Sequence, residues 1–307
     1  MSGSEKPLIV QVDGGIGRVI CAVPALEELA KTRKVTVLAS HPEVLWNNPN
    51  IHKVYGLSRE YLWDDVIKHG EFRFPEPYFS HRYYNQELHL IQSFNELLLG
   101  EAGEISKPSI YLTFEELKWG REFIDARRQE FPGKDIALIQ AFGSAANIQD
   151  DLVDPTHRSL TPHAIDFLCT KTDTIFINAS HIAINNEKVW QQEFTLRQLF
   201  SLVVSCDFII TVDSFLQQAG AALGKTGISF FGGTYPENLG YPDNFSIIRR
   251  SGYPKSYQPN RFSGFLDENK GAMEFTEDEL EHIAGMINKH DFPLPIVKED
   301  KTDLIVS

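Results

Sequence analysis

The sequence is poor in cysteine and has no segment that would place it in a membrane. Its 307 residues include three cysteines, Cys21, Cys169 and Cys206, all within apolar segments and without the spacing of metal ligands. No apolar run reaches the length that crosses a bilayer, and the first residues, MSGSEKP, lack the features of a signal peptide. These absences predict a cytoplasmic protein with reduced, buried thiols.

Basic residues are outnumbered by acidic ones, 29 against 42, which gives a net charge of −13 and an isoelectric point of about 5.2. Such a charge argues against broad, non-specific binding to nucleic acid or anionic lipid. A D-x-D motif, which would hold a nucleotide-bound metal, is also missing, so we predict no metal site. With 42% apolar and 23% charged residues, the composition is globular, and the length is sufficient for two domains.

Strands and helices alternate through both halves of the chain, which predicts an α/β fold with parallel sheets. The first half opens with an apolar strand at 8–12, a glycine turn, an amphipathic helix and a second strand at 35–39. The Pro132-Gly133 pair stops a later helix and is the best boundary. We therefore predict two Rossmann-like domains facing across a cleft, followed by a tail: an N-terminal domain at 1–133, a C-terminal domain at 134–290 and the tail at 291–307.

The most informative segment runs from Asp207 to Tyr241 and alternates strand, helix and strand. Its two strands end in polar and glycine residues: Asp213, Ser214, Gly232, Gly233 and Thr234. Residues just past the carboxyl ends of strands face the ligand crevice of an open α/β sheet. The segment thus predicts a site in which Asp213 accepts hydrogen bonds from a sugar and the 232–234 amides bind a diphosphate. Ordinary turn chemistry at strand ends is the alternative.

A glycine turn, DGGIGR, joins the first strand to the first helix. Its amides at Gly14 and Gly15 and the helix dipole favour an anion or the close approach of a substrate, with a tight turn as the equal alternative. Because Ile20 replaces the third glycine of a dinucleotide fingerprint, a dehydrogenase is not supported. Asp13 ends the strand, where a carboxylate acts as a general base or caps the following helix.

Two basic segments bear on anion binding. Arg158 precedes a helix that starts near Thr161, and arginine suits bidentate pairing with phosphate, although a plain surface arginine is the alternative. The basic and aromatic segment RRSGYPKSYQPNRF, at 249–262, suits phosphates and stacked bases, or is an exposed loop.

The residues resemble glycosyltransferase family 9, the ADP-heptose:lipopolysaccharide heptosyltransferases. Three segments carry the resemblance: GIGRVICAVPAL at 15–26, with its glycine turn and Pro-Ala-Leu; IITVDSFLQQAGAALGK, with Asp-Ser before a helix of small residues; and SFFGGTYPENLGY, with a strand that ends in Gly-x-Thr-x-Pro. Together with the order of strands and helices they cover most of the chain, and 58–110 matches least.

The resemblance implies a GT-B fold whose first domain binds the acceptor and whose second binds a nucleotide sugar. Family members invert the anomeric carbon without a metal, and no cofactor is implied beyond the nucleotide-diphosphate sugar as co-substrate. By this resemblance Arg158 replaces a phosphate-contacting lysine, while Asp213 and Gln218 orient the donor. The family's aspartate in the first turn is Arg18 here. Asp13 then becomes the expected base, with Gly14, Gly15 and Arg18 as acceptor-binding residues.

Three functions stay open at this point. The first is a glycosyltransferase that acts on a glycan or another hydroxyl acceptor. The second is a transferase of the same fold that modifies a hydroxylated DNA base, as in phages, which the 249–262 segment favours and the net charge opposes. The third is a non-catalytic nucleotide-sugar-binding protein, favoured by Arg18 in place of an aspartate.

Overall fold

The computed structural model describes residues 6–148, 151–255, 267–292 and 304–306. Contacts divide the chain into two units, Met1–Thr113 and Phe114–Ser307, and each contains its own sheet, parallel in the first and mainly parallel in the second. The predicted α/β class with parallel sheets is therefore confirmed.

The first unit is built on a four-stranded parallel sheet with the strand order β3-β2-β1-β4. Its elements are, in chain order, β1 (Leu8–Val12), α1 (Ile16–Ala30), β2 (Val35–Ala39), β3 (Lys53–Gly56), α2 (Leu62–Asp65), β4 (Glu71–Arg73), α3 (His81–Tyr84) and α4 (Leu90–Leu99). Every residue of β2 and all but one of β1 are buried, which explains their continuous apolar sequences.

The short strand β4 is an element that sequence analysis missed. It pairs in parallel with β1, with Leu8 opposite Glu71 and Val10 opposite Arg73. Two of its three residues are charged, and Phe72 between them is exposed, so no apolar run marks it as a strand. The pairing has a consequence for chemistry, because it carries the residues after β4 to the carboxyl end of β1.

The second unit is built on a seven-stranded sheet with the order β13-β12-β11-β10-β5-β8-β9, parallel except for β13. Its elements are, in chain order, α5 (Phe114–Glu130), β5 (Asp135–Gln140), β6 (Asn147–Ile148), β7 (Leu152–Val153), α6 (Pro162–Lys171), β8 (Thr174–Asn178), β9 (Val189–Trp190), α7 (Leu196–Ser205), β10 (Ile209–Val212), α8 (Phe215–Leu223), β11 (Gly227–Phe230), α9 (Pro236–Leu239), β12 (Phe245–Arg250), α10 (Glu277–Lys289) and β13 (Leu304–Val306). The central strands β10 and β11 are buried throughout.

Helix α5 belongs to the second unit, so the boundary between the two units lies after Thr113. The domain boundary predicted from the sequence lies later in the chain, at the Pro132-Gly133 turn. Gly120 of α5 packs on α7 so closely that a Cβ there would lie 2.6 Å from the carbonyl oxygen of Ser201. Glu116 of α5 accepts two hydrogen bonds from the buried Arg197 of α7, at 2.7 and 2.6 Å. The Pro-Gly turn therefore separates two elements of one unit.

The three cysteines are buried and are not joined in disulfides, as the sequence predicts. Burial raises the pKa of the Cys169 thiol to about 12 and that of Cys206 to about 11. Both thiols are therefore protonated at neutral pH, and neither has the character of a nucleophile.

Candidate functional site

In the second unit, the residues that follow β10 and β11 meet at the carboxyl edge of the sheet. Asp213 directly follows β10 and is 2% exposed. The hydroxyl of Thr234, which follows β11, donates a hydrogen bond of 2.7 Å to Oδ2 of Asp213. The two strand ends singled out in the sequence are thus joined by a direct contact.

Arg158 reaches the same place from the loop between β7 and α6. Its Nη1 donates to the backbone oxygen of Asp213 at 3.2 Å and lies 3.7 Å from the Asp213 carboxylate. Its Nε donates to the Thr156 hydroxyl at 3.1 Å. The structure therefore joins Arg158, Asp213 and Thr234 in one cluster, although they are far apart in the sequence.

Asp154 orders the loop that carries Arg158, and sequence analysis missed it. Its carboxylate accepts hydrogen bonds from the Thr156 amide and hydroxyl at 2.9 and 2.5 Å, the Arg158 amide at 3.1 Å and the Ser159 hydroxyl at 2.6 Å. Burial raises the pKa of this carboxyl, but the hydrogen bonds from Ser159 and Thr156 and the charge of Arg158 outweigh it, so the pKa is lowered. The sequence signal for this role is a turn pattern, in which an aspartate at position i is followed by Thr at i+2 and Ser at i+5.

The glycine pair at 232 and 233 makes room for this loop. A Cβ on Gly232 would lie 2.0 Å from the carbonyl oxygen of His157, and one on Gly233 would lie 2.0 Å from that of Thr156. The Gly233 amide donates to His157 O at 3.0 Å. That amide is therefore used inside the protein, and the predicted presentation of the Gly233 amide to a diphosphate does not match this geometry.

Burial raises the pKa of the Asp213 carboxyl, against the lowering effects of the Arg158 charge, of the hydrogen bond from Thr234 and of the nearby Gln218 side chain. The Oε1 of Gln218 is buried and has no hydrogen-bond partner among the residues that the structure describes. Ser214 begins helix α8 without a side-chain cap and is half-buried.

In the first unit, Asp13, Gly14 and Gly15 form the turn between β1 and α1. Gly14 has φ of +93°, a conformation that favours glycine, and its carbonyl accepts a 2.8 Å hydrogen bond from Ser40. Gly15 is exposed at the N-cap of α1, and apart from its chain neighbours no described atom lies within 4 Å of the place of a Cβ. The turn leaves the Asp13 carboxylate 24% exposed at the carboxyl end of β1.

Arg18 is buried, whereas the resemblance places it among acceptor-binding residues. It is 4% exposed, and its Nη2 lies 3.4 Å from Asp13 Oδ1. Its other carboxylate partner, Glu76, was not singled out in the sequence because it follows the unrecognised strand β4. Arg18 therefore neutralises carboxylates within the unit and does not itself present a surface to an acceptor.

The basic segment at 249–262 is described only as far as residue 255. Arg249 lies 3.3 Å from Glu237, and Arg250 donates to the Gly271 carbonyl at 2.9 Å. Both arginines are thus engaged within the unit, and residues 256–262 lie outside the described part. The described residues give the DNA-modifying alternative no support.

The described ranges contain neither a cluster suited to a metal ion nor a helix suited to a membrane. Within them, no three His, Cys, Asp or Glu side chains gather in a way that could hold a metal ion. Among the helices described there, none combines the length and apolar character needed to cross a bilayer.

Profiles of known protein families do not match the chain, and no curated protein matches its sequence. Solved structures do match. A family 9 glycosyltransferase from Veillonella parvula has a TM-score of 0.64 at 14% identity, covering 95% of this chain and 99% of its own. ADP-heptose lipopolysaccharide heptosyltransferase II from E. coli has a TM-score of 0.64 at 10% identity, covering 93% of this chain and 99% of its own. This chain has the fold of the family 9 glycosyltransferases.

A third match is TibC of enterotoxigenic E. coli, described as an iron-containing dodecameric glycosyltransferase, with a TM-score of 0.65 at 9% identity, covering 93% of this chain and 77% of its own. TibC has also been solved with ADP-D-β-D-heptose. The family resemblance drawn from the three sequence segments and the predicted GT-B class are confirmed at the level of the fold.

Proposed function

We propose that the protein is a metal-independent, inverting glycosyltransferase that moves a sugar from a nucleotide-diphosphate sugar to a hydroxyl of a glycan or similar acceptor. The observation that carries the proposal is the cluster of Arg158, Asp213 and Thr234 at the carboxyl ends of β10 and β11, in a chain with the family 9 fold. This is the edge of a parallel sheet at which ligands bind.

On the donor side, Arg158 has one nitrogen to offer a phosphate. Its Nε and Nη1 are held by Thr156 and Asp213, whereas its Nη2 makes no hydrogen bond to a described residue. The nearby N-terminus of α8, with Ser214 at the N-cap, adds a partial positive charge that favours an anion. Asp213 and Gln218 supply acceptors for hydroxyl groups of the donor.

On the acceptor side, Asp13 takes the proton of the attacking hydroxyl. The hydroxyl oxygen then bonds to the anomeric carbon on the face opposite the diphosphate, and the bond from that carbon to the diphosphate oxygen breaks with its electron pair. Arg158 stabilises the negative charge that develops on the leaving diphosphate. One displacement inverts the anomeric centre.

Ligand binding is the first test, because it does not need the acceptor. Thermal unfolding is followed with ADP, UDP, GDP and CMP and their sugar derivatives, ADP first because TibC was solved with ADP-heptose. A ligand at a hundred times its dissociation constant stabilises the protein by about 2.7 kcal/mol. We expect one nucleotide to raise the midpoint, and Arg158→Met to abolish the rise. Arg121→Met, an exposed arginine on α5, is the control that keeps it. If no nucleotide shifts the well-folded wild type, the donor site is wrong.

Turnover separates the transferase from a non-catalytic binding protein, the alternative favoured by the contact of Arg18 with Asp13. With the donor identified, we expect release of nucleoside diphosphate with wild type and a loss of about 10²-fold or more with Asp13→Asn, at unchanged donor affinity. The anomeric configuration of the product, read by NMR, tests inversion. Donor binding without hydrolysis or transfer to any acceptor tried would favour the non-catalytic alternative.

A further inference from the structure

Glu76 lies at the same edge of the first sheet as Asp13, and both carboxylates contact one buried guanidinium. The Nη1 of Arg18 lies 3.1 Å from Glu76 Oε1, and its Nη2 donates to Glu76 Oε2 at 3.1 Å. The closest approach of Arg18 to Asp13 is longer, 3.4 Å between the same Nη2 and Asp13 Oδ1. Glu76 is therefore the principal partner of Arg18, and Asp13 is the weaker one.

The position of Arg18 is fixed on several sides. Its Nη2 also donates to the Pro75 carbonyl at 3.3 Å, and its guanidinium lies 5.0 Å from the ring centre of Tyr78. Its Cδ lies 3.0 Å from the place where a Cβ on Gly14 would stand. The arginine therefore folds back over the glycine turn, into a pocket whose other wall is formed by the segment after β4.

We propose that Glu76 is a positioning residue for the base Asp13, and the inference rests on the function proposed above. By contacting Arg18 with both oxygens, at 3.1 Å each, Glu76 holds the guanidinium no closer than 3.4 Å to Asp13. Arg18 then orients the Asp13 carboxylate without engaging it fully, and the carboxylate keeps the capacity to take a proton from the acceptor. A guanidinium released by Glu76 would instead approach Asp13 more closely, because charge-assisted pairs are usually shorter, at about 2.7–2.9 Å.

The test combines single and double variants. In Glu76→Gln the side chain keeps its shape but loses its charge, so Arg18 is expected to turn to Asp13. We expect kcat to fall about tenfold or more, with the donor dissociation constant unchanged. Arg18→Met combined with Glu76→Gln removes both the cation and its partner, and we expect it to recover part of that loss. Two merely structural defects would instead add, so an additive loss, or an unchanged kcat in Glu76→Gln, overturns the proposal.

Glu71→Gln is the matched control. Glu71 begins the same strand β4 and also contacts two arginines, Arg33 and Arg73, each at 2.8 Å, but at the opposite end of the strand. Its replacement should leave kcat unchanged.

If the wild type binds no donor and shows no turnover, the proposed function is wrong. The role of Glu76 is then tested by a second measurement that does not depend on activity. Urea unfolding of Asp13→Asn, Glu76→Gln and the double variant forms a thermodynamic cycle. Non-additive effects show that the two carboxylates are coupled through Arg18 as proposed. Strictly additive effects overturn the positioning role, whatever the activity.

Discussion

Arg158 contacts Asp213 twice, through a hydrogen bond of 3.2 Å to its backbone oxygen and an approach of 3.7 Å to its carboxylate. The contact sets a partly exposed cation against a buried anion at the end of β10. A diphosphate that binds Arg158 must share it with this carboxylate. The buried carboxylate of Asp213 lowers the stability of the folded protein. Sites that bind ligands commonly retain such destabilising groups because function requires them.

Replacing Asp213 by Asn should therefore stabilise the ligand-free protein at pH 7. Burial raises the pKa of this carboxyl above its ordinary value of 3.8. The folded state thus binds the proton more tightly than the unfolded state, and stability falls as pH rises from 3.8 through the folded pKa. The asparagine has no such dependence, so its unfolding midpoint at neutral pH should exceed that of wild type, while nucleotide-sugar affinity falls.

The control for this prediction is Asp243→Asn, at an exposed aspartate in the same unit. Surface substitutions of this kind change stability by less than about 0.5 kcal/mol. If Asp213→Asn lowers the midpoint at pH 7 while the control does not, the carboxylate supports the fold and the charge argument fails.

Asp154 should show the opposite dependence on pH. Its pKa is lowered in the folded protein, so the stability that it supplies is present above the ordinary value of 3.8 and is lost as pH falls through the folded value. Asp154→Asn loses hydrogen bonds to a charged acceptor, which are worth about 1.5–3 kcal/mol each at most sites. We expect a clear loss of stability at pH 7 that shrinks toward pH 3 in paired urea titrations. A gap that stays constant with pH would contradict this role.

The sheets and the ligand edge of the second unit were predictable from the sequence because parallel strands are buried and uniformly apolar. The end of such a strand is visible in the sequence as the first polar residue, as at Asp213. Glu76 and Asp154 were not predictable in this way. Glu76 follows a strand that pairing with β1 creates, and Asp154 acts through hydrogen bonds within a loop. Both depend on tertiary contacts that no local pattern records.

The glycine at 232 is predicted to be a packing requirement. Gly232→Ala would place a Cβ 2.0 Å from the backbone oxygen of His157, which cannot turn away as a side chain can. We expect a destabilisation of about 1–3 kcal/mol or more, the usual cost of overpacking, together with weaker nucleotide binding because the Arg158 loop is displaced.

Gly285→Ala provides the contrast within the same unit. Gly285 lies inside helix α10, and in the described part of the chain no atom beyond the helix's own backbone lies within 4 Å of the place of a Cβ, so alanine should stabilise the helix by about 0.5–1 kcal/mol. Urea unfolding of both variants gives the two signs directly. If both substitutions change the free energy of unfolding by equally small amounts, the loop that carries His157 moves to accommodate the added Cβ, and the packing argument is wrong.

The contact between α5 and α7 leads to a prediction about the extent of the second unit. Glu116→Gln removes the carboxylate that accepts two hydrogen bonds from the buried Arg197. Breaking a fully buried pair costs about 3–5 kcal/mol, and we expect a loss toward the lower end because the Glu116 side chain is 24% exposed. Glu122→Gln on the same helix breaks an exposed pair with Lys118, worth about 0–1 kcal/mol, and is the control. Comparable losses in the two variants would place α5 outside the folded core.

Fragments of the chain test the same boundary independently. A fragment of residues 114–307 keeps α5 against α7, whereas one of residues 134–307 begins after the Pro132-Gly133 turn and exposes the face that Gly120 covers at Ser201. We expect the longer fragment to unfold cooperatively in urea and to retain nucleotide binding, because Arg158, Asp213 and Thr234 all lie within it. The shorter one should unfold at lower urea or aggregate, since it loses the helix that covers α7. If both fragments unfold at the same urea concentration, α5 is dispensable and the Pro-Gly turn is the true boundary.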